Sequence, residues 1–299
     1  MKRVIALLSF CLLSTCYIIA QTQIERIREQ LFSCDTNSVI VVAHRGDWRN
    51  FPENSLEGIE SAINMGVDVV ELDIQRTKDG VFILMHDYNL ERTTTGKGNV
   101  SDVDWEYVSK LNLKNGCGIT TEQKVPTLEQ ALQLCKDRVM INLDKADSFI
   151  EEIFPLLEKT NTTSQVIMKG KLSAQQVKEK FGTYLNQIIY MPIVNTDNTN
   201  SEDIITNHLQ ILEPAAFELC FTIDNSPTIL KMKDTLEGHS LIWINTLWAS
   251  LCGGHHDDIS LKDTNKGYGY VIDFLGARII QTDRPQLLLD YLRSRNLHQ

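Results

Sequence analysis

Residues 67–87, VDVVELDIQRTKDGVFILMHD, decide the fold. The stretch opens as a buried strand, Val67-Asp68-Val69-Val70, rich in the β-branched residues that pack well on a pleated surface. Glu71 and Asp73 follow at i and i+2, so alternation points both carboxylates to one face. Lys78-Asp79-Gly80 reads as a tight turn, and the apolar run Val81–Met85 returns to end in His86-Asp87. If Asp79-Gly80 turns the chain, the returning arm lays His86 beside Glu71 or Asp73. Two acids and an imidazole then share one patch.

Outward from this stretch, strand and helix patterns alternate. An apolar strand at Val39–Ala43 ends in His44-Arg45-Gly46, and a helix runs from Ser55 until Gly66 stops it. Beyond the stretch come a polar insertion at about 88–122 and a helix over Leu128–Cys135 with Thr127 as N-cap. Strand patterns then recur at 139–143, 165–168, 188–194, 215–221, 241–247 and 277–281, each followed by a helical pattern. With the return arm lying above the rim, the strands number eight, the pattern of a (β/α)8 TIM barrel with a small insertion after the second strand. An open doubly wound sheet fits less well, because no glycine-rich phosphate loop follows the first strand.

Composition bounds the rest. At 299 residues with 42% apolar and 23% charged residues, the chain buries a core without disulfide staples. Lys2-Arg3, the apolar run Val4–Ala20 and a cleavage point at Ala20-Gln21 give the layout of a signal peptide, residues 1–20. Residues 21–38 form an N-terminal segment and 39–299 the barrel domain. A secreted or periplasmic protein follows, with lipoprotein anchoring at Cys16 disfavoured by Thr15 and no stable membrane insertion after cleavage. Loss of the leader removes two bases and no acid from a formal charge of −10. So acidic a chain lacks the basic patch that nucleic-acid binding needs. The remaining cysteines, Cys34, Cys117, Cys135, Cys220 and Cys252, show no CxxC spacing and no disulfide framework.

In such a barrel the C-terminal strand ends face the active site. His44, Arg45, Glu71, Asp73, Asp144, Lys169, Glu218 and Trp243 lie at or near those ends. A lone strand-end acid is more often solvated than functional, but this many on one rim share no bland explanation. Gly253-Gly-His-His-Asp-Asp258 invites a second-metal reading against that of a mobile polar lid.

These residues carry a resemblance. His44-Arg45-Gly46, Pro52–Ser55, Glu71-Leu72-Asp73, Thr77–Gly80, His86-Asp87, Arg92–Thr94, Val125–Leu128 and Gln281–Pro285 resemble the glycerophosphodiester phosphodiesterase family in order and spacing. Asn142–Asp144 and Val166–Gly170 are similar to bacterial secreted members of the agrocinopine phosphodiesterase kind. The resemblance implies a metal-dependent hydrolase that cleaves a small-molecule glycerophosphodiester or sugar phosphodiester to an alcohol and a phosphomonoester. Glu71, Asp73 and Asp144 would hold one divalent cation, and all-oxygen ligation favours Mg2+ or Ca2+ over zinc. Arg45 would bind phosphate oxygens, with His44 and His86 as the acid–base pair. Glu218 would bond a glycerol or sugar hydroxyl stacked over Trp243, or Trp243 would be plain core. Phospholipase- or lyase-type cleavage, or phosphate-ester binding without catalysis, are the alternatives, and the intact His44, His86, Glu71 and Asp73 weigh against the binder.

Two departures from the family pattern stand out. Asp144 occupies a position where the family usually has Glu, and Ala146 a position where many members have Lys. Lys145 is adjacent, but strand alternation turns it away from the site. That leaves Lys169, at the end of the next strand, as the candidate for the missing positive charge.

Overall fold

The computed structural model describes residues 22–299, so the expected signal peptide and Cys16 lie outside the described residues. The strands are β1 (Ile40–His44), β2 (Val69–Arg76), β3 (Phe82–Leu84), β4 (Asn112–Lys114), β5 (Thr120–Lys124), β6 (Met140–Asp144), β7 (Val166–Gly170), β8 (Ile189–Asn195), β9 (Ala216–Cys220), β10 (Leu241–Asn245) and β11 (Ile279–Thr282). Eight of them form a closed parallel barrel in the order β1-β11-β10-β9-β8-β7-β6-β2, and β1 pairs with β2 to shut it. A β-strand must be followed by a crossover to return in parallel, which is why a helix separates most neighbours. Strand β3 is the return arm, antiparallel to the end of β2 with Ile74 opposite Leu84. The insertion folds as a short helix (Trp105–Val108) and the hairpin β4–β5 over its own apolar cluster, which includes Leu90, Val100, Val108 and Leu113.

Helix boundaries follow local chemistry. Ser55 caps Leu56–Met65 by accepting from the Gly58 N–H, and Gly66 ends it at φ 93°, a left-handed conformation that glycine adopts without strain. Thr127 and Gln130 form a reciprocal capping box on Leu128–Cys135. The helix Asn265–Phe274 has the wide π winding.

Alternation divides each barrel strand between two cores. Val41 and Ala43 face the surrounding helices, together with Val70, Leu72, Ile141, Leu143 and Met168. Ile40, Val42, Val69, Met140, Ile167, Ile189, Leu241, Trp243 and Ile279 fill the barrel itself. Ile24, Ile27 and Leu31, from the capped helix Gln23–Phe32, plug its floor. Continuing the inward parity upward gives His44, Glu71, Asp73, Asn142, Asp144, Lys169, Glu218, Asn245 and Gln281. The interior is therefore apolar below and polar above, and the polar storey sits at the C-terminal strand ends.

The floor is tied by Asp68, which the sequence reading placed inside the strand but which precedes β2. Its carboxylate is 1% exposed and accepts from Arg26 Nη2 at 2.8 Å, the Val41 N–H at 2.9 Å and His298 Nε2 at 2.8 Å. Asp68→Ala leaves buried partners uncompensated and should lower stability by about 3–5 kcal/mol in urea titration. Burial alone would lower the His298 pKa, but Asp68 outweighs it and the pKa is raised. The pair's contribution is then full below the ordinary imidazole value of ~6.5 and is lost as pH rises through the raised one. The stability gap between wild type and His298→Ala should shrink as pH rises above the ordinary imidazole value of ~6.5.

Candidate active site

Strand register assembles the site. His44 lies opposite Glu71, and Asp73 lies opposite Asp144. Glu71, Asp73 and Asp144 each offer a carboxylate oxygen within 4.8 Å of the others. Glu71 and Asp73 are 2% and 1% exposed, so water does little to screen their repulsion. Burial, and next the Asp73 charge, push Glu71 up to about 7. Burial also works against Asp73, but Arg45 and then Lys145 outweigh it and hold that acid below the usual carboxylate range. The set suits a hard divalent cation, because three anionic oxygens converge where a positive charge relieves both repulsion and desolvation. Among the described residues no other His, Cys, Asp and Glu group has this spacing.

Both expected imidazoles lie at this cluster. His44 Nδ1 pairs with Asp283 Oδ1 at 2.7 Å, and its Nε2 lies 4.0 Å from Glu71 Oε2. Burial would lower the His44 pKa, but the Asp283 bond and the Glu71 charge raise it overall. His86 pairs through Nδ1 with Asp87 Oδ1 at 2.7 Å, and Asp87 is held in turn by Arg92. The Met85 N–H donates to the Asp73 carbonyl, so the return arm sets His86 beside Asp73, one of the two positions expected. With each Nδ1 occupied, the nitrogen left for chemistry in both rings is Nε2.

Arg45 sits at φ 54°, left-handed, immediately after β1. That backbone aims its N–H at Glu71 Oε2 (2.9 Å), while its side chain places Nε 3.2 Å from Asp73 Oδ2 and Nη1 2.9 Å from Glu53. Asn54, also left-handed at φ 59°, donates to Asp73 Oδ2 at 3.0 Å and accepts from the Asp73 N–H.

The floor of the site differs from the sequence reading in two respects. Lys169 is buried, and its ammonium donates to Glu218 Oε2 at 2.8 Å and Gln281 Oε1 at 3.3 Å. Burial opposes its charge, yet Glu218, Asp144 and Glu71 keep it protonated. Glu218 Oε1 also accepts from Asn245 Nδ2 at 2.9 Å. Trp243 is 0% exposed, lies in the apolar storey and donates Nε1 to Asn245 Oδ1 at 2.7 Å. A face so enclosed has no room for a stacked glycerol or sugar, so the plain-core reading of Trp243 holds; the Lys169 ammonium lies 5.0 Å from its ring centroid.

The second correction concerns Lys145. Alternation would turn it outward, but its backbone is left-handed (φ 63°, ψ 5°), which reverses the side chain. Its Nζ lies 3.0 Å from Asp73 Oδ1 and 2.7 Å from the His86 carbonyl.

Among the described residues, segment 253–258 forms no metal-ligating cluster. His255 stacks on Tyr270 at 3.5 Å between centroids, and Asp257 is fully buried. Asp257 accepts from Thr246, Tyr268 and Thr282 hydroxyls through Oδ1 and from the Asp283 N–H through Oδ2. It is an anchor that fixes Asp283, and through it His44. Asp283 and Asp257 were missed as site residues by the sequence reading, although Asp283 stands inside the closing motif Gln281–Pro285.

A divalent cation binding only the folded chain must stabilise it. Mg2+ or Ca2+ at about one hundred times its Kd should add about 2.7 kcal/mol, read as a raised Tm. Asp144→Asn should lose most of that shift.

Residues 44–179 match the glycerophosphoryl diester phosphodiesterase family, and residues 190–292 match a family described as a domain of unknown function. A glycerophosphodiester phosphodiesterase of Caldanaerobacter subterraneus subsp. tengcongensis is 33% identical over 140 residues, 44% of this chain and 57% of that protein. Glycerophosphodiester phosphodiesterase 1 of Mus musculus is 42% identical over 100 residues, 32% of this chain and 30% of that protein. The matched stretch thus spans less than two thirds of either relative. A glycerophosphoryl diester phosphodiesterase structure from Parabacteroides distasonis superposes with a TM-score of 0.73 at 23% identity, covering 92% of this chain and 93% of that one. An Oleispira antarctica phosphodiesterase in complex with the product sn-glycerol-3-phosphate gives 0.62 at 17% identity, covering 86% and 97%. The three acids and both histidines all lie within residues 44–179, the part of the chain that matches the glycerophosphoryl diester phosphodiesterase family.

Proposed function

We propose that this barrel hydrolyses glycerophosphodiesters or closely similar sugar phosphodiesters to an alcohol and a phosphomonoester such as sn-glycerol 3-phosphate. One observation carries the reading. Three carboxylates from two adjacent strands sit between two imidazoles, each held through Nδ1 by its own acid. Relatives named as glycerophosphodiester phosphodiesterases support the substrate class, as does the product bound by the Oleispira protein.

Glu71, Asp73 and Asp144 would hold one divalent cation, whose chemistry is polarisation of a phosphoryl oxygen. The oxygen donors favour Mg2+ or Ca2+. The chain's own residues do the rest. Arg45 presents guanidinium N–H groups to a non-bridging oxygen as negative charge grows on phosphorus. Between them, His44 and His86 take the proton of the attacking hydroxyl or water and return one to the leaving alkoxide. Asp283 and Asp87 fix the tautomer and orientation of each ring, and stabilise it when it carries the proton. Glu218, with its oxygens already bonded by Lys169 and Asn245, has lone pairs left for an alcohol hydroxyl. The leader at residues 1–20 supports a place outside the cytoplasm.

A panel of glycerophosphodiesters and sugar phosphodiesters, assayed with added Mg2+ or Ca2+ and then with EDTA, tests the reading. Hydrolysis should stop on chelation and return with the ion. His44→Ala and His86→Ala should each lower kcat by about 10²–10⁴ with the fold intact. A chain that binds phosphate esters and turns none over, under any of these ions, would be the non-catalytic binder instead.

A further inference from the structure

Two cations bracket Asp73, one at each oxygen. Arg45 Nε approaches Oδ2 at 3.2 Å and Lys145 Nζ approaches Oδ1 at 3.0 Å. Both residues directly follow an inward strand-end residue, His44 and Asp144, and both have left-handed backbones, at φ 54° and 63°. Neither is glycine, so each conformation carries strain that the surroundings must offset. The same device is used twice, on two strands, to turn a long basic side chain back over the barrel mouth.

The donors separate Lys145 from its neighbour Lys169. Lys169 has a side chain only 4% exposed and is committed to Glu218 and Gln281. Lys145 has a side chain 31% exposed and spends two of its three N–H groups, on Asp73 and on the His86 carbonyl. Its third N–H and its open side lie between the acid cluster and the residue whose ring performs proton transfer. An anion whose one oxygen lies at the acid cluster and whose next faces Arg45 would bring another within reach of this ammonium.

We propose that Lys145 is a phosphate-binding residue of this site, delivered by the left-handed turn at its own α-carbon, and that with Arg45 it clamps the non-bridging oxygens of the substrate. The inference rests on the hydrolase reading and deepens it. It also has an internal conflict that gives it a signature: the ammonium that attracts phosphate repels a metal ion from Asp73. Removing it must weaken anion binding and tighten cation binding together. A merely structural lysine would loosen both.

The test uses Lys145→Met, which keeps the aliphatic stem, and Lys145→Gly, which removes the charge and relieves the left-handed strain. Inorganic phosphate and sn-glycerol 3-phosphate binding, by calorimetry on the Mg2+-loaded protein, should weaken about 10–100-fold in both, the range of one charge-assisted hydrogen bond. Mg2+ binding alone should tighten roughly 2- to 10-fold. The kcat/KM for a glycerophosphodiester should fall in step with phosphate affinity. Should Lys145→Met fail to fold, Lys145→Gly still decides the matter. Unchanged phosphate affinity, or phosphate and Mg2+ affinity falling together, overturns the assignment. A wild type that binds phosphate but hydrolyses nothing sinks the hydrolase reading and leaves the role of Lys145 to the binding data. A wild type that binds no phosphate overturns both.

Discussion

Three carboxylates held within 4.8 Å at the top of an apolar barrel repel one another through a medium that screens poorly. Much of the upper storey can be understood as a response to that repulsion. Arg45, Lys145 and Asn54 converge on Asp73, each from a residue in the left-handed region. Lys169 approaches from below, its charge sustained by Glu218, Asp144 and Glu71 against burial. Glu71 accepts one backbone N–H, from Arg45, and burial followed by the Asp73 charge drives its carboxyl up to about 7. A strand-built site cannot bring so many countercharges to one carboxylate with regular backbone, because alternation sends every second side chain outward. The positive φ values are the physical means by which this barrel escapes that limit.

Below the acids, the apolar storey sets the height of the site. Trp243, Met140, Ile167 and Ile279 fill the barrel to the level at which inward residues become polar. The change occurs within one step of alternation, from Val69 to Glu71, from Met140 to Asn142 and from Ile167 to Lys169. Buried polar groups need partners, and the network Lys169–Glu218–Asn245–Trp243 supplies them in sequence. Asn142 Oδ1, on the strand that carries Asp144, is one of the buried polar atoms without a hydrogen-bond partner.

The fold was legible because alternation and capping are local. Each barrel strand carried its apolar parity in the sequence, and Ser55, Gly66 and Thr127 marked helix ends by chemistry that needs only neighbouring residues. The acids and both imidazoles were legible for the same reason, as strand-end residues. What could not be read was whatever depended on a single backbone angle or on a distant partner. Lys145 reverses because of its own φ, which no pattern of residue types displays. Trp243 sits one alternation step below the mouth, so its burial depends on how far the barrel fills. Asp257 bonds across 26 residues to Asp283, and only closure of β11 onto β1 brings that pair to His44.

That last connection shows how the two halves of the chain divide the work. Residues 44–179 supply the three acids, His44, His86 and the two clamping cations, and they are the part matched to the phosphodiesterase family. Residues 190–292, which match a family described as a domain of unknown function, supply Glu218, Trp243, Asn245, Asp257, Gln281 and Asp283. The second half therefore contributes the acid that holds His44 Nδ1, Asp283, together with the polar floor of the site. In the proposed hydrolysis, charge handling at phosphorus constrains the first half to fixed acids and bases at fixed register. Recognition of an alcohol needs only hydrogen bonds of suitable direction on a rigid floor, and a barrel can change those through β9, β10 and β11 without moving an acid.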